Sequence, residues 1–134
     1  MNSKILVIDD DKVILFIHKT LMDISGITAE VEYFHDPELA LQHILNHINT
    51  HTFLLLLDIN MPSMSGWDML DILKDHEFHQ NIHVVIITSS VSDLDREKAF
   101  TYPQVCEFLT KPLKVADFIA LQEHEITGKY LRPV

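Results

Sequence analysis

Cysteine, glycine and proline are scarce in this chain. Of 134 residues, one is Cys, three are Gly and five are Pro. A single cysteine, Cys106, cannot close an internal disulfide, and such low usage fits a reducing compartment. No internal repeat, low-complexity tract or Gly/Ser linker is visible. Long apolar runs are missing too: none approaches the roughly 18 residues of a membrane span. The first residues meet Asp9, Asp10 and Asp11 almost at once, which does not suit a secretory signal. Basic residues number ten against twenty acidic ones, giving a net charge of -10 at pH 7 with His neutral. That balance repels phosphate backbones and anionic lipid, so direct binding to nucleic acid or membrane is not expected. What remains is 47 % hydrophobic and 22 % charged. A chain of this length buries roughly two-thirds of its unfolded surface, enough for one core without staples. The expectation is a soluble, acidic, cytoplasmic protein with one domain over residues 1–127 and a short C-terminal tail over residues 128–134.

Two kinds of segment alternate. Short apolar runs rich in β-branched residues lie at Ile5 to Ile8, Phe53 to Leu57 and Val84 to Ile87. Continuous runs of this length suit strands covered on both faces, as in a parallel sheet. Ala29 to Phe34, with charged Glu30 and Glu32, suits an edge strand, and Val105 to Leu109 is a fifth candidate. Between them lie segments with helical spacing. Val13, Ile14, Ile17, Leu21 and Ile24 form one stripe, closed by Gly26. Asp36-Pro37 begins a second helix, with an acid to cap and a proline where no donor is needed. Its stripe is Leu41, Ile44, Leu45 and Ile48. A third helix is predicted from about Ser65 to Phe78 with Met69, Leu70 and Leu73 inward. Ser92 and Asp95 are spaced as a capping box for a fourth, and a fifth after Pro112 is predicted to bury Val115, Phe118 and Ile119. Five βα units imply a three-layer α/β domain with right-handed crossovers.

In such a sheet, ligands bind outside the carboxyl ends of the strands. Asp9, Asp10 and Asp11 follow the first strand; Asp58 and then Asn60 follow the third. Thr88, Ser89 and Ser90 end the fourth, and Thr110, Lys111 and Pro112 follow the fifth. Clustered carboxylates repel one another unless neutralised, and a hard divalent cation such as Mg²⁺ is the natural partner for oxygen ligands beside phosphate. A carboxylate near a cation and a lysine can act as a nucleophile towards phosphorus, while charge on the equatorial oxygens is compensated from around it. These residues together read as phosphate chemistry.

The segments Ile5-Leu6-Val7-Ile8-Asp9-Asp10, Leu57-Asp58-Ile59-Asn60-Met61-Pro62 through Gly66, Ile87-Thr88-Ser89 and Lys111-Pro112 resemble those of bacterial response-regulator receiver domains. The resemblance runs from about Lys4 to His124, and four motifs in the right order at the right strand ends make it specific. It implies a flavodoxin-like, doubly wound (βα)5 sheet of strand order 2-1-3-4-5, as in chemotaxis-type single-domain regulators. It implies Asp58 as phosphoacceptor and Mg²⁺ held by Asp9, Asp10, Asp58 and the Asn60 backbone carbonyl. Lys111 would pair with the phosphoryl group and Thr88 would hydrogen-bond to it. The Lys111-Pro112 bond is typically cis in this family. A histidine kinase or histidine phosphotransfer protein would be the donor. With no output segment in the chain, the signal would leave through a downstream protein, and a homodimer through the fourth-helix face is compatible.

Two positions depart from the family pattern. Its switch aromatic, often tyrosine, falls on Phe108, so a hydroxyl-dependent part of signalling is missing; the expected switch is Thr88 moving and Phe108 turning inward. A third acid, Asp11, follows the usual pair; Asp9 and Asp10 are assigned because the apolar strand ends at Ile8.

Other readings compete. Asp9-x-Asp11-x-Val13 also resembles the first motif of haloacid-dehalogenase-like phosphatases, with Asp9 as nucleophile. That family needs more acids after its lysine; here Asp117, Glu123 and Glu125 fall in a predicted helix or its end, and Asp58 to Pro62 goes unexplained. A degenerate receiver used as a scaffold would need none of the acids, Thr88 or Lys111. His43, His47 and His51 recur every four residues, a spacing that can chelate zinc, yet no Cys or carboxylate partner is fixed nearby in the sequence and a wet helix face is the plainer account. Trp67 is expected to be a partly exposed packing residue beside the site, and Cys106 a small buried hydrophobe.

Overall fold

The structure, a computed structural model, describes residues 1–132. Five strands, β1 (Asn2–Ile8), β2 (Val31–Phe34), β3 (His51–Asp58), β4 (Ile82–Thr88) and β5 (Val105–Thr110), form one parallel sheet in the order β2-β1-β3-β4-β5. The helices are α1 (Lys12–Ile24), α2 (Pro37–His47), α3 (Gly66–Lys74), α4 (Asp93–Ala99), α5 (Val115–Glu123) and α6 (Gly128–Leu131). The expected flavodoxin-like architecture and strand order are therefore observed.

Alternate side chains of the central strands point to opposite faces, and this divides the core in two. Leu6, Ile8, Phe53, Leu55, Leu57, Val84 and Ile86 pack under α2, α3 and Ala99 of α4. Ile5, Val7, Leu54, Leu56, Val85 and Ile87 pack under α1, α5 and α6. The runs Ile5 to Ile8, Phe53 to Leu57 and Val84 to Ile87 are apolar without a break because both of their faces are covered. The fully buried Phe53 and Phe118 each contribute about 1.5–3 kcal/mol relative to exposure. Strand β2, half-buried along its length, is the predicted edge.

Helix starts follow the capping chemistry. Asp36 accepts from the backbone N–H groups of Glu38 and Leu39, with Pro37 in the first turn. Ser65 and Asp68 form a reciprocal capping box on α3. At α4 only half of the expected box forms: Ser92 accepts from the Asp95 N–H, while the Asp95 carboxylate instead accepts from the Ser90 hydroxyl at 2.6 Å. Gly26, at φ +83°, ends α1; the Ile27 N–H reaches the Met22 carbonyl and the Gly26 N–H the Asp23 carbonyl, a Schellman closure.

Several predicted inward stripes are displaced. In α1 the buried residues are Leu15, His18 and Met22, while Val13, Phe16 and Ile24 are 66, 70 and 65 % exposed. The run Val13 to Ile17 is apolar at every position, so its periodicity does not fix a face; the Asp11 cap does. Leu45 and Ile119 are exposed as well, and Leu121 fills the inward place on α5. Helix α3 stops at Lys74 rather than near Phe78, because the His76 ring accepts from the Phe78 N–H and turns the chain toward β4. The residues read as a tail from Gly128 include α6, whose Leu131 is fully buried; the tail's last two residues lie outside those described. No helix among the described residues is long and apolar enough to cross a membrane.

Candidate functional site

The sheet register places the chemistry. Ile8 pairs with Leu57, so Asp9 and Asp58 emerge side by side from adjacent strands. Asp58 pairs with Ile87, and Thr88 pairs with Thr110, so Thr88 and Lys111 each come one residue later on the next strands. The predicted residues, up to 102 positions apart, meet at one edge.

There one carboxylate oxygen from each of Asp9, Asp10 and Asp58 lies within 4.8 Å of the other two. Asp9 and Asp58 are buried while Asp10 is exposed. The Lys111 ammonium is 2.6 Å from Asp9 Oδ2 and 3.5 Å from Asp58 Oδ1, and the Lys111-Pro112 bond is cis. Three carboxylates face one ammonium, an imbalance that a small divalent cation would correct. The donor set is all oxygen, as Mg²⁺ requires, so the residues present fit that ion.

Asp58 carries the strain of this arrangement. Burial, and next the Asp9 charge, push its carboxyl up to about 6; the Lys111 ammonium and the Asn60 N–H pull the other way. The Asn60 N–H donates to Asp58 Oδ1 at 3.3 Å, and among the described residues Oδ2 has no hydrogen-bond partner. Asp9 is fully engaged: its Oδ2 meets Lys111 and its Oδ1 accepts from the Asp11 N–H at 2.9 Å. Asp11 itself caps α1 by accepting from Val13 and Ile14. The third acid is thus diverted from the cluster.

Thr88 is buried and its Oγ accepts from the Ser90 N–H at 3.1 Å and from Asn60 Nδ2 at 3.5 Å. Both are donors, so the Thr88 hydroxyl proton has no acceptor among the described residues. Phe108 departs from expectation. Its ring is 6 % exposed and already belongs to the core, with the Arg96 guanidinium 5.7 Å away over its face. Without a hydroxyl to hydrate, an apolar ring has nothing to keep it outside.

Gly66 and His18 complete the surroundings. A Cβ at Gly66 would stand 2.6 Å from the Asp58 carbonyl oxygen, and the Gly66 N–H donates to the Ile59 carbonyl at 2.9 Å. Only glycine allows this approach. His18 was not foreseen. Fully inside α1's inner face, it leaves Nδ1 unpartnered, and burial, followed by the Lys111 charge, disfavours its protonation. The misplaced α1 stripe hid it; a one-residue shift would have exposed it in the sequence. Trp67 is half-buried, stacked 6.0 Å from Tyr102. Cys106 is half-buried, its thiol pushed up to about 11 by burial.

The comparisons agree with this geometry. Residues 5–123 match the family model described as "Response regulator receiver domain". The transcriptional regulatory protein CpxR of Escherichia coli is 33 % identical over 118 residues, 88 % of this chain but 47 % of that protein, so the chain spans about half of CpxR's length. A two-component response regulator from Legionella pneumophila has a similar structure (TM-score 0.74, 27 % identity, covering 96 % of this chain and 99 % of that one). Another from Cytophaga hutchinsonii, at 24 % identity, shares the fold (TM-score 0.79, covering 91 % and 95 %). With the motifs at the strand ends, the acid cluster they build and a family match across nearly the whole domain, the chain belongs to the response regulator receiver domains of two-component systems.

Proposed function

We propose that the protein is a phosphorylation switch in which Asp58 accepts a phosphoryl group in a Mg²⁺-dependent reaction. The observation that carries this reading is the convergence of the Asp9, Asp10 and Asp58 oxygens within 4.8 Å, with the Lys111 ammonium 3.5 Å from Asp58. Asp9, Asp10, Asp58 and the Asn60 carbonyl would hold Mg²⁺, which supplies charge compensation for the phosphoryl oxygens. Asp58 Oδ1 is held by Asn60 and Lys111, leaving Oδ2 to attack phosphorus. A P–O bond forms as the P–N bond to a donor phosphohistidine breaks, and the departing imidazole takes the electron pair and picks up a proton. Lys111 and the free Thr88 proton then face the new phosphoryl oxygens. Asp9 is not the nucleophile, since both of its oxygens are engaged; this disfavours the phosphatase alternative.

The donor is a histidine kinase or histidine phosphotransfer protein. The exposed Val13, Phe16 and Ile17 of α1, adjoining the Asp9 to Asp11 loop, offer it an apolar surface. The output does not need Phe108 to turn inward. Donation by Thr88 to a phosphoryl oxygen draws on the segment that includes Ser90, and Ser90 is tied to Asp95 of α4. The change is thereby delivered to α4, whose Leu94 and the preceding Val91 are exposed to a downstream protein or a second copy of the chain.

Incubation with Mg²⁺ and a small phosphodonor, followed by intact-mass measurement, tests this. One base-labile phosphoryl group is expected, absent from Asp58→Asn and absent after chelation of Mg²⁺. Uptake persisting in Asp58→Asn but lost in Asp9→Asn would return the assignment to the phosphatase reading, and no uptake in any form would leave a scaffold.

A further inference from the structure

The three histidines spaced by four have a carboxylate neighbour after all. It comes from β2: Glu32 Oε2 lies 3.4 Å from His43 Nε2. His43 stands on α2 against Phe34, and its ring is 4.6 Å from that of His47 one turn later. His51, the first residue of β3, lies 5.6 Å beyond His47.

Hydrogen bonding fixes which nitrogens are available. His47 Nδ1 is 2.9 Å from the His43 carbonyl oxygen. A carbonyl can only accept, so Nδ1 carries the proton and Nε2 of the neutral ring keeps its lone pair. Metal-bound imidazoles are oriented in this way, with the second nitrogen tied to a backbone acceptor. His43 Nε2 is buried and makes no well-directed hydrogen bond, despite its nearness to Glu32. An unsatisfied buried nitrogen is costly, and a ligand bond would satisfy it. Lys4 holds the other Glu32 oxygen at 3.3 Å, leaving Oε2 directed at His43.

We propose that Glu32, His43 and His47 form a second cation site that takes a divalent transition-metal ion such as Zn²⁺, with His51 as a further donor. Imidazole nitrogens select Zn²⁺, Cu²⁺ or Ni²⁺, whereas the all-oxygen cluster at Asp58 suits Mg²⁺. The sites are also far apart, since His51 opens β3 and Asp58 ends it seven residues later, about 23 Å of extended chain. The acid cluster already has three donor atoms within 4.8 Å; the histidine site closes when Glu32 and the unpartnered His43 ring turn toward His47, whose bond to the His43 carbonyl is kept. Binding there clasps the edge strand β2 to α2. None of this depends on phosphoryl uptake at Asp58.

Zinc titration of the full chain by calorimetry, with Mg²⁺ in large excess to occupy the acid cluster, tests the site. One equivalent of Zn²⁺ is expected to bind, at least tenfold more weakly in His47→Ala and Glu32→Gln and unchanged in Asp58→Asn. Thermal melts of each variant show whether it is folded. Electron paramagnetic resonance of the Cu²⁺-loaded protein is expected to show coupling to two or more imidazole nitrogens, with one fewer in His47→Ala. Absence of Zn²⁺ binding, wild-type affinity in folded His47→Ala, dependence on Asp58, or no nitrogen coupling would each overturn the proposal.

Discussion

The two ends of the sheet handle buried polarity in opposite ways. At the carboxyl end, Asp9 and Asp58 are buried with Asp10 at their side and a single ammonium among them. At the amino end, where α5 and α6 cover the sheet, the buried polar contacts are neutral pairs: the Tyr130 hydroxyl bonds His83 Nδ1 at 2.8 Å, and the buried Thr127 hydroxyl donates to the Leu121 carbonyl. The first end holds charge in surplus, as the proposed uptake of a cation and a phosphoryl group requires. The second, at these pairs beside α5 and α6, matches donor to acceptor and holds the strands to those helices. Function and stability are thus segregated along the strand axis, and substitutions at each end test that division.

Lys111→Ala should have the largest effect after loss of Asp58 itself. It removes the positive charge facing the phosphoryl oxygens, and phosphoryl uptake, followed by intact mass against time, should slow by about a hundredfold or more. A rate near wild type would show that Lys111 only balances Asp9. The pH profile comes next. With the Asp58 carboxyl at about 6, uptake measured from pH 8 to 5 at limiting Mg²⁺ should fall about tenfold between pH 7 and 5, as the nucleophile becomes protonated. A flat profile would mean that Asp58 stays ionised throughout.

Stability should respond with opposite signs at the two ends. The Asp58 carboxyl sits at about 6 in the folded chain against 3.8 ordinarily, so the folded state holds this proton more tightly than the unfolded state does. Its contribution therefore favours folding below about pH 4 and is lost as pH rises through 6. Asp58→Asn removes the buried charge and, without Mg²⁺, should stabilise the protein at pH 7 by about 1–2 kcal/mol in urea unfolding. Added Mg²⁺ should narrow that gap by stabilising wild type. Tyr130→Phe, at the other end, should cost about 1 kcal/mol by unpairing His83 and leave phosphoryl uptake unchanged. Destabilisation by Asp58→Asn, or altered uptake in Tyr130→Phe, breaks the division.

The same division accounts for how much could be read from the sequence. Strands buried on both faces announce themselves as unbroken apolar runs, and the register then brings Asp9, Asp58, Thr88 and Lys111 to one edge without further information. The third helix was legible because Met69, Leu70 and Leu73 are its apolar inner face. The first was not: Val13 to Ile17 is apolar on all sides, so the pattern carries no phase, and the choice between Ile17 and His18 as the inward residue rests on a cap and on tertiary packing. For Phe108 the sequence shows a missing hydroxyl but not the pocket that takes the ring. Glu32 was invisible as a histidine partner because β2 and α2 meet only in three dimensions.

One further consequence attaches to Gly66. Its α-carbon leans so closely on the main chain of position 58 that helix α3 acts as a backstop. If Asp58 is phosphorylated as proposed, recoil toward α3 is blocked. The displacement would then be left to travel sideways, into the β4–α4 connection, and a residue with no side chain would set the direction of the proposed response.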